Sequence, residues 1–113
     1  VGCLVVKDRV IISDGFNGTP SGMDNECETP TRFGWETKPE VLHAETNAIS
    51  KLAQSTQSSL DATMYLTLSP CMDCAKLIIQ SGIKRVVYSE QYRITKGIVL
   101  LQTAGIQVDQ LEI

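Results

Sequence analysis

Two short segments constrain the fold of this chain more than any other feature of its sequence. The first is His43-Ala44-Glu45, and the second is Pro70-Cys71-Met72-Asp73-Cys74. One imidazole and two thiolates can fill three positions of a tetrahedral zinc site and leave the fourth for water, which is the pattern of catalytic zinc. The sequence therefore predicts that His43, Cys71 and Cys74 meet around one Zn2+ ion, although they lie far apart along the chain.

Glu45 is the residue that makes this metal site a candidate for catalysis. Zinc lowers the pKa of a bound water to about 7, so that hydroxide is available at neutral pH. A carboxylate two residues beyond a ligand can take the water's proton and pass it to a ring nitrogen and then to a leaving amine. The H-x-E…P-C-x-x-C pattern is the signature of zinc nucleobase deaminases. We therefore predict a hydrolytic deamination with Glu45 as the catalytic residue.

The local sequence favours helix starts at both segments. Cys71 and Cys74 are three residues apart on a predicted helix, so they share one of its faces. Pro70 stands at the start of that helix, where its missing N–H costs nothing. The positive end of the helix dipole then favours thiolate over thiol. His43 begins a second predicted helix, so two helix starts are expected to converge on the metal.

Two other interpretations of these motifs remain open. A C-x-x-C pair also occurs in redox and structural zinc sites, and Cys27 could complete a closed four-ligand site. The chain could also be a zinc- or nucleotide-binding protein without turnover. Glu45 argues against that second interpretation, because a purely binding site does not need a carboxylate beside the metal.

Length and charge exclude several classes of protein. The 113 residues suffice for one domain, 1–113. A net charge of −3 and a pI near 5.0 argue against nucleic acid as a partner, since nucleic-acid-binding domains carry a basic face. The apolar runs are too short to span a membrane. Four cysteines, two of them in a metal motif, favour a reducing compartment, and we expect a cytoplasmic protein.

Apolar periodicity predicts strands alternating with helices in the order β-β-α-β-α-β-α-β. Such alternation implies parallel crossovers with helices on both faces of the sheet, and the first two strands add an antiparallel edge. The helix between the last two strands makes them parallel. The long segment 15–42 is interpreted as a loop, which at this length is commonly functional. The predicted strands are 1–7, 9–13, 62–68, 83–88 and 106–113, and the predicted helices are 43–54, 71–80 and 94–104.

The chain resembles the deoxycytidylate (dCMP) deaminase family of the cytidine deaminase superfamily. The resemblance rests on Gly15-Phe16-Asn17-Gly18-Thr19-Pro20-Ser21-Gly22, on His43-Ala44-Glu45-Thr46-Asn47-Ala48-Ile49 and on Thr67-Leu68-Ser69-Pro70-Cys71-Met72-Asp73-Cys74. Free cytidine deaminases carry a cysteine where His43 stands. The resemblance implies a three-layer α/β/α fold with a five-stranded mixed sheet whose last strands are parallel. A helix that the family has before its first strand is expected to be absent from this chain.

The family converts dCMP to dUMP and ammonia. The resemblance implies that His43, Cys71 and Cys74 bind zinc and that Glu45 shuttles protons. It also implies that the backbone near Ala44 and Ser69 reads the base and that Asn17 contacts the sugar. Asn17 could instead be only a turn residue that tolerates a left-handed conformation. Tyr92 lies just after a predicted strand and could contact the substrate or lie in a solvated loop.

The resemblance further implies assembly and regulation. Family members are commonly homo-oligomers, often hexamers, and many are activated by dCTP and inhibited by dTTP with Mg2+. The effector site is built partly by the Gly-rich loop, which could alternatively be no more than a turn. Other possible substrates are dCTP and a tRNA adenosine, although the acidic balance weakens the tRNA option. The candidate effector residues are Gly15, Asn17, Gly18, Thr19 and Asn47.

Overall fold

Alternating burial shows which face of each strand meets the core. In the strand Thr63–Leu68, Met64 and Leu66 are buried, whereas Tyr65 and Thr67 are exposed. The computed structural model describes residues 1–24 and 26–111. Its elements are β1 (Gly2–Lys7), β2 (Val10–Phe16), β3 (Glu28–Thr31), β4 (Gly34–Thr37), α1 (Ala44–Leu52), β5 (Thr63–Leu68), α2 (Met72–Gln80), β6 (Arg85–Glu90), α3 (Lys96–Thr103) and β7 (Gln107–Gln110).

The main sheet has five strands in the order β2-β1-β5-β6-β7. β1 is antiparallel to both β2 and β5, while β5, β6 and β7 run parallel to one another. The β1–β2 hairpin closes through Asp8 and Arg9, whose positive φ angles of 51° and 66° suit a tight two-residue turn. The predicted mixed sheet, with an antiparallel edge and parallel last strands, is therefore confirmed.

The helices of the described residues form one layer on one face of this sheet. α1 packs on β1 and β2 and contacts α2, and α2 contacts α3. The crossovers β5-α2-β6 and β6-α3-β7 step the same way along the sheet, and since such connections are almost always right-handed, their helices lie on the same side. The structure thus differs from the expected helices on both faces. The opposite face holds a cavity of about 530 Å³ lined in part by Leu4, Phe16, Tyr65 and Leu111.

The segment predicted as a continuous loop, 15–42, contains a second, two-stranded sheet. β3 and β4 pair antiparallel from Glu28↔Thr37 to Thr31↔Gly34. Every residue of both strands is exposed, so their sequences lack the apolar alternation from which a strand is predicted. The ends of the segment are fixed by an isolated bridge between Gly18 and Leu42.

Element ends differ from prediction by at most three residues, and the C-terminal ends of β1, β5 and α2 coincide with it. The first two helices begin at Ala44 and Met72 rather than at His43 and Cys71, which are their N-caps. Gly82 and Gly105, with φ of 80° and 85°, follow the ends of α2 and α3 as helix-stop glycines. Part of the predicted last strand, residues 112–113, lies outside the described residues. No helix among the described residues is long and apolar enough to cross a membrane.

The core predicts a clear contrast between two leucines on neighbouring helices. Leu101 on α3 is fully buried, whereas Leu77 on α2 is 45% exposed. We expect Leu101→Ala to lower the free energy of unfolding by about 2–5 kcal/mol, because it leaves a cavity, and Leu77→Ala to cost much less. Urea unfolding followed by circular dichroism measures both. Equal losses for the two variants would contradict this account of the core.

Candidate metal and catalytic site

The N-caps of two helices carry the candidate metal ligands. His43 caps α1 and Cys71 caps α2, and neither side chain makes the usual capping hydrogen bond. Their side chains are therefore directed away from the backbone N–H groups that a capping residue would bind. The backbone carbonyls still accept the first helical hydrogen bonds, from Asn47 N–H to His43 and from Ala75 N–H to Cys71, both at 2.9 Å.

The donor atoms of His43, Cys71 and Cys74 cluster at the spacing of a metal site. His43 Nδ1 lies 3.1 Å from Cys74 Sγ and 3.7 Å from Cys71 Sγ. One donor atom of each residue lies within 4.8 Å of the donor atoms of the other two. Among the described residues, these three side chains are the group that lies close enough together to hold one metal ion. Zn–N near 2.1 Å and Zn–S near 2.3 Å imply donor separations of roughly 3.5 Å in a tetrahedron. The donor set fits zinc.

Cys27 lies outside this cluster. Its Sγ is 4.0 Å from the backbone carbonyl oxygen of Asn17. The predicted ligands come together without it, which weighs against the closed four-ligand alternative. Cys3 is also outside the cluster. Burial, with Glu45 and Asp14 nearby, raises the pKa of its thiol to about 12. Cys3 is therefore an inert core thiol, as its strand position predicts.

Glu45 lies buried beside the ligands, with 4% of its surface exposed. Burial raises the pKa of the Cys74 thiol far above its ordinary range, and the negative charges of Glu45 and Cys71 raise it further. Glu45, Cys71 and Cys74, which can each carry a negative charge, therefore lie close together at a site that is largely buried. Such a cluster needs a compensating cation, and a divalent metal supplies one while stabilising the thiolates.

A cavity of about 180 Å³ opens onto these residues. Three residues predicted from the zinc motifs line it together with two side chains predicted to contact the substrate and with Ser69. Leu68, at the end of β5, is a lining residue that the sequence analysis missed, and its position directly before Ser69 was the available signal. The lining is formed by Val1, Asn17, His43, Glu45, Leu68, Ser69, Cys71 and Tyr92.

Asn17 and Ala44 are joined directly. The backbone N–H of Ala44 donates a hydrogen bond of 3.2 Å to Asn17 Oδ1. Ala44 is fully buried and does not line the cavity, whereas Asn17 does. The long segment after β2 is thereby tied to the first turn of α1, between the candidate metal ligand His43 and the candidate catalytic carboxylate Glu45.

Ser69 and Tyr92 are also joined. Ser69 is 4% exposed, and its Oγ accepts a 2.7 Å hydrogen bond from the backbone N–H of Tyr92. The N–H of Ser69 donates to the carbonyl oxygen of Glu90 at 2.9 Å. These two bonds hold the segment after β6 against the start of α2, so that Tyr92 forms part of the cavity wall rather than a free loop.

The five candidate effector residues do not form one group. Thr19 and Asn47 line a separate cavity of about 350 Å³, while Asn17 lines the catalytic one. Gly18 uses both its N–H and its carbonyl in the bridge to Leu42, so its N–H is not directed at a ligand. Gly15 is buried against α1 and lines neither cavity. The glycine N–H groups expected to bind an effector therefore do not line this second cavity.

Comparison with known proteins identifies the family. The model for the cytidine and deoxycytidylate deaminase zinc-binding region matches residues 1–90. The deoxycytidylate deaminase of Enterobacteria phage T4 is 37% identical over an alignment of 148 positions, gaps included, which covers 96% of this chain and 77% of that protein. The human deoxycytidylate deaminase is 37% identical over 114 residues, with 92% of this chain and 62% of that protein covered.

A solved structure agrees with the sequence comparison. The dCMP deaminase from cyanophage S-TIM5, in complex with dCMP and dUMP, superposes with a TM-score of 0.89 at 47% identity. The match covers 97% of this chain and 79% of that one. Both the shared sheet and the matched zinc-binding region lead to one conclusion: the chain belongs to the cytidine and deoxycytidylate deaminase family.

Proposed function

We propose that this chain catalyses the zinc-dependent hydrolytic deamination of dCMP to dUMP and ammonia. One observation carries the proposal: a buried carboxylate, Glu45, lies beside a three-residue ligand set at the wall of a cavity. Three protein ligands leave a fourth zinc position open to solvent or substrate. The relatives named deoxycytidylate deaminase and the structure with dCMP and dUMP supply the substrate class.

The roles of the residues follow from their places. Zinc, when bound, supplies a hydroxide at neutral pH. Glu45 would take one proton from the attacking water and give it to the ring nitrogen, which keeps it in the product, and would then transfer the water's second proton to the amine, which leaves as ammonia. Because Glu45 is shielded from bulk solvent, its proton passes to the substrate in preference to water. His43, Cys71 and Cys74 hold the metal at the two helix starts.

Substrate contacts are proposed for four residues at or beside the cavity. Ser69 and Ala44 contact the base through their backbone, Asn17 contacts the sugar, and Tyr92 closes the far wall. The hydrogen bond between Asn17 and the Ala44 N–H supports this division. When the Asn17 side chain turns toward a sugar hydroxyl, the Ala44 N–H is released to bind the base.

Other substrates fit the cavity less well. Its lining contains no lysine or arginine among the described residues, which disfavours the three phosphates of dCTP relative to the single phosphate of dCMP. The net charge of −3 disfavours tRNA. A binding protein without turnover would gain nothing from burying Glu45, because an uncompensated buried carboxylate is costly.

We also propose regulation through the second cavity. Asn47 lines it, and the Asn47 Nδ2 donates a 3.0 Å hydrogen bond to the carbonyl oxygen of Phe16, the neighbour of Asn17. A triphosphate with Mg2+ at Thr19 and Asn47 would therefore act on the segment that carries Asn17. Gly15 and Gly18 contribute by shaping this segment. dCTP and dTTP must bind its two arrangements with different affinities, since equal affinity shifts nothing.

Assembly and location are proposed from the surface and the cysteines. Phe33 and Trp35 are 95% and 71% exposed, and Phe16 and Met23 are also exposed. Such apolar exposure favours burial in a homo-oligomer, for which the family suggests a hexamer. None of the four cysteines forms a disulfide, which supports a reducing compartment such as the cytoplasm.

The ligand assignment predicts one zinc per chain. Cys74→Ser is expected to abolish stoichiometric zinc, because a hydroxyl replaces a thiolate ligand, while Cys27→Ser is expected to retain it. Atomic absorption on dialysed protein measures the metal content. Loss of zinc in Cys27→Ser would show that Cys27 is a fourth ligand, and a closed four-ligand site would contradict a catalytic metal.

The proton-transfer role predicts the behaviour of Glu45→Gln. This variant is expected to keep its zinc and fold but to lose roughly 10²-fold or more in kcat, because an amide cannot shuttle protons. Glu40→Gln, at an exposed carboxylate, is the matched control and should retain full activity. Ammonia release from dCMP measures both variants. Near-normal turnover in zinc-loaded Glu45→Gln would assign the proton transfer to another group.

Regulation predicts the shape of the rate curves. Rates against dCMP concentration are expected to be sigmoidal, to become hyperbolic with dCTP and Mg2+, and to fall with dTTP. Asn47→Ala removes the hydrogen bond to Phe16 and should weaken both responses. Curves that are indifferent to both triphosphates would show that this chain is an unregulated deaminase.

A further inference from the structure

The first turn of α3 lies directly on the backbone that carries a metal ligand. Gly97, in this turn, is buried. A Cβ atom at Gly97 would lie 2.2 Å from the carbonyl oxygen of Pro70, and 2.9 Å from both the carbonyl carbon and oxygen of Cys71. These are backbone atoms, which cannot turn aside as a flexible side chain can. A side chain at position 97 must therefore displace either α3 or Cys71.

The same arrangement occurs at the other metal-bearing helix. A Cβ atom at Gly15, in β2, would lie 2.3 Å from the carbonyl oxygen of Ala44 and 2.8 Å from the backbone nitrogen of Ala48. Ala44 stands between the ligand His43 and the catalytic Glu45. Both helix starts that build the site are thus contacted, backbone to backbone, by a glycine of a neighbouring element.

The Cys71 carbonyl group has two neighbours. Its oxygen accepts the N–H of Ala75 at 2.9 Å within α2, and Gly97 of α3 lies against the same carbonyl group. As the N-cap, with φ −72° and ψ 171°, Cys71 is the last extended residue before the helix. A rotation at this residue changes the direction of its side chain, and hence the position of Sγ relative to His43 Nδ1, now 3.7 Å away.

We propose that Gly97 is a positioning residue of the metal site, and that Gly15 plays the matching role for His43 and Glu45. The absence of a side chain at 97 lets α3 hold the Cys71 backbone in the orientation that directs its thiolate at the metal. Gly97 touches no reacting atom and acts through Cys71. This inference rests on the metal site of the proposed function and adds residues that the zinc motif does not contain.

Gly97→Ala tests the proposal, with Gly2→Ala as the matched control. A Cβ atom at Gly2 meets only Thr67 Cγ2, at an ordinary 3.6 Å. Alanine is a better helix former than glycine, so a loss in Gly97→Ala cannot be assigned to helix propensity. Zinc affinity is measured by competition with a chelating dye, and ligand geometry by the thiolate-to-metal absorption bands of the Co2+-substituted protein. Neither readout depends on dCMP turnover.

We expect Gly97→Ala to fold and to bind zinc about 10- to 100-fold more weakly, the range for residues that orient metal ligands. Its Co2+ bands should shift, whereas those of Gly2→Ala should match the unaltered protein. Gly15→Ala should also weaken zinc. A folded Gly97→Ala with unaltered zinc affinity and Co2+ bands would overturn the proposal. So would loss of the metal-free fold in both glycine variants, because their role would then be general packing. Failure of the unaltered zinc-loaded protein to deaminate dCMP would instead overturn the proposed function alone.

Discussion

The concentration of negative charge at one buried place is the constraint on which the rest of the structure depends. Cys74 is 1% exposed, and Glu45 is 4% exposed beside it. Without a cation, burial and the neighbouring charges raise the pKa of the Cys74 thiol so far that it stays protonated. A divalent ion reverses this preference, because it favours thiolates and neutral imidazole. Fold and metal are therefore matched: the helix starts bring the donors together, and the ion makes their proximity stable.

The metal-site residues could be predicted from sequence because ligand chemistry restricts residue type and spacing. His43, Cys71 and Cys74 do converge, and Glu45 lies beside them. The order of strands and helices was also readable, since each long element carries its own apolar period. The direction of the crossovers is not part of that period. The placement of all described helices on one face therefore needed the structure.

Other features depend on contacts between distant residues, which a local pattern cannot contain. The β3–β4 hairpin buries nothing, so its strands carry no periodic signal. Gly18 resembles a phosphate-binding glycine in sequence, yet its backbone groups pair with Leu42. Gly97 is unremarkable in sequence, and its meaning is visible only where α3 meets Cys71. A glycine that permits a close approach cannot be distinguished by sequence from one that permits a turn.

The antiparallel pairing of β1 with β5 joins two units of the main fold that are consecutive along the chain. The first unit, β1-β2-α1, is joined by the packing of α1 on both strands. The second, β5-α2-β6-α3-β7, is a continuous parallel wind. His43 and Glu45 belong to the first unit, and Cys71 and Cys74 to the second. A bound metal therefore links the two units, and part of its binding free energy stabilises the contact between them across the β1–β5 pairing. Metal release should thus speed amide hydrogen exchange more along β1 and β5 than along β7, which β6 separates from this pairing.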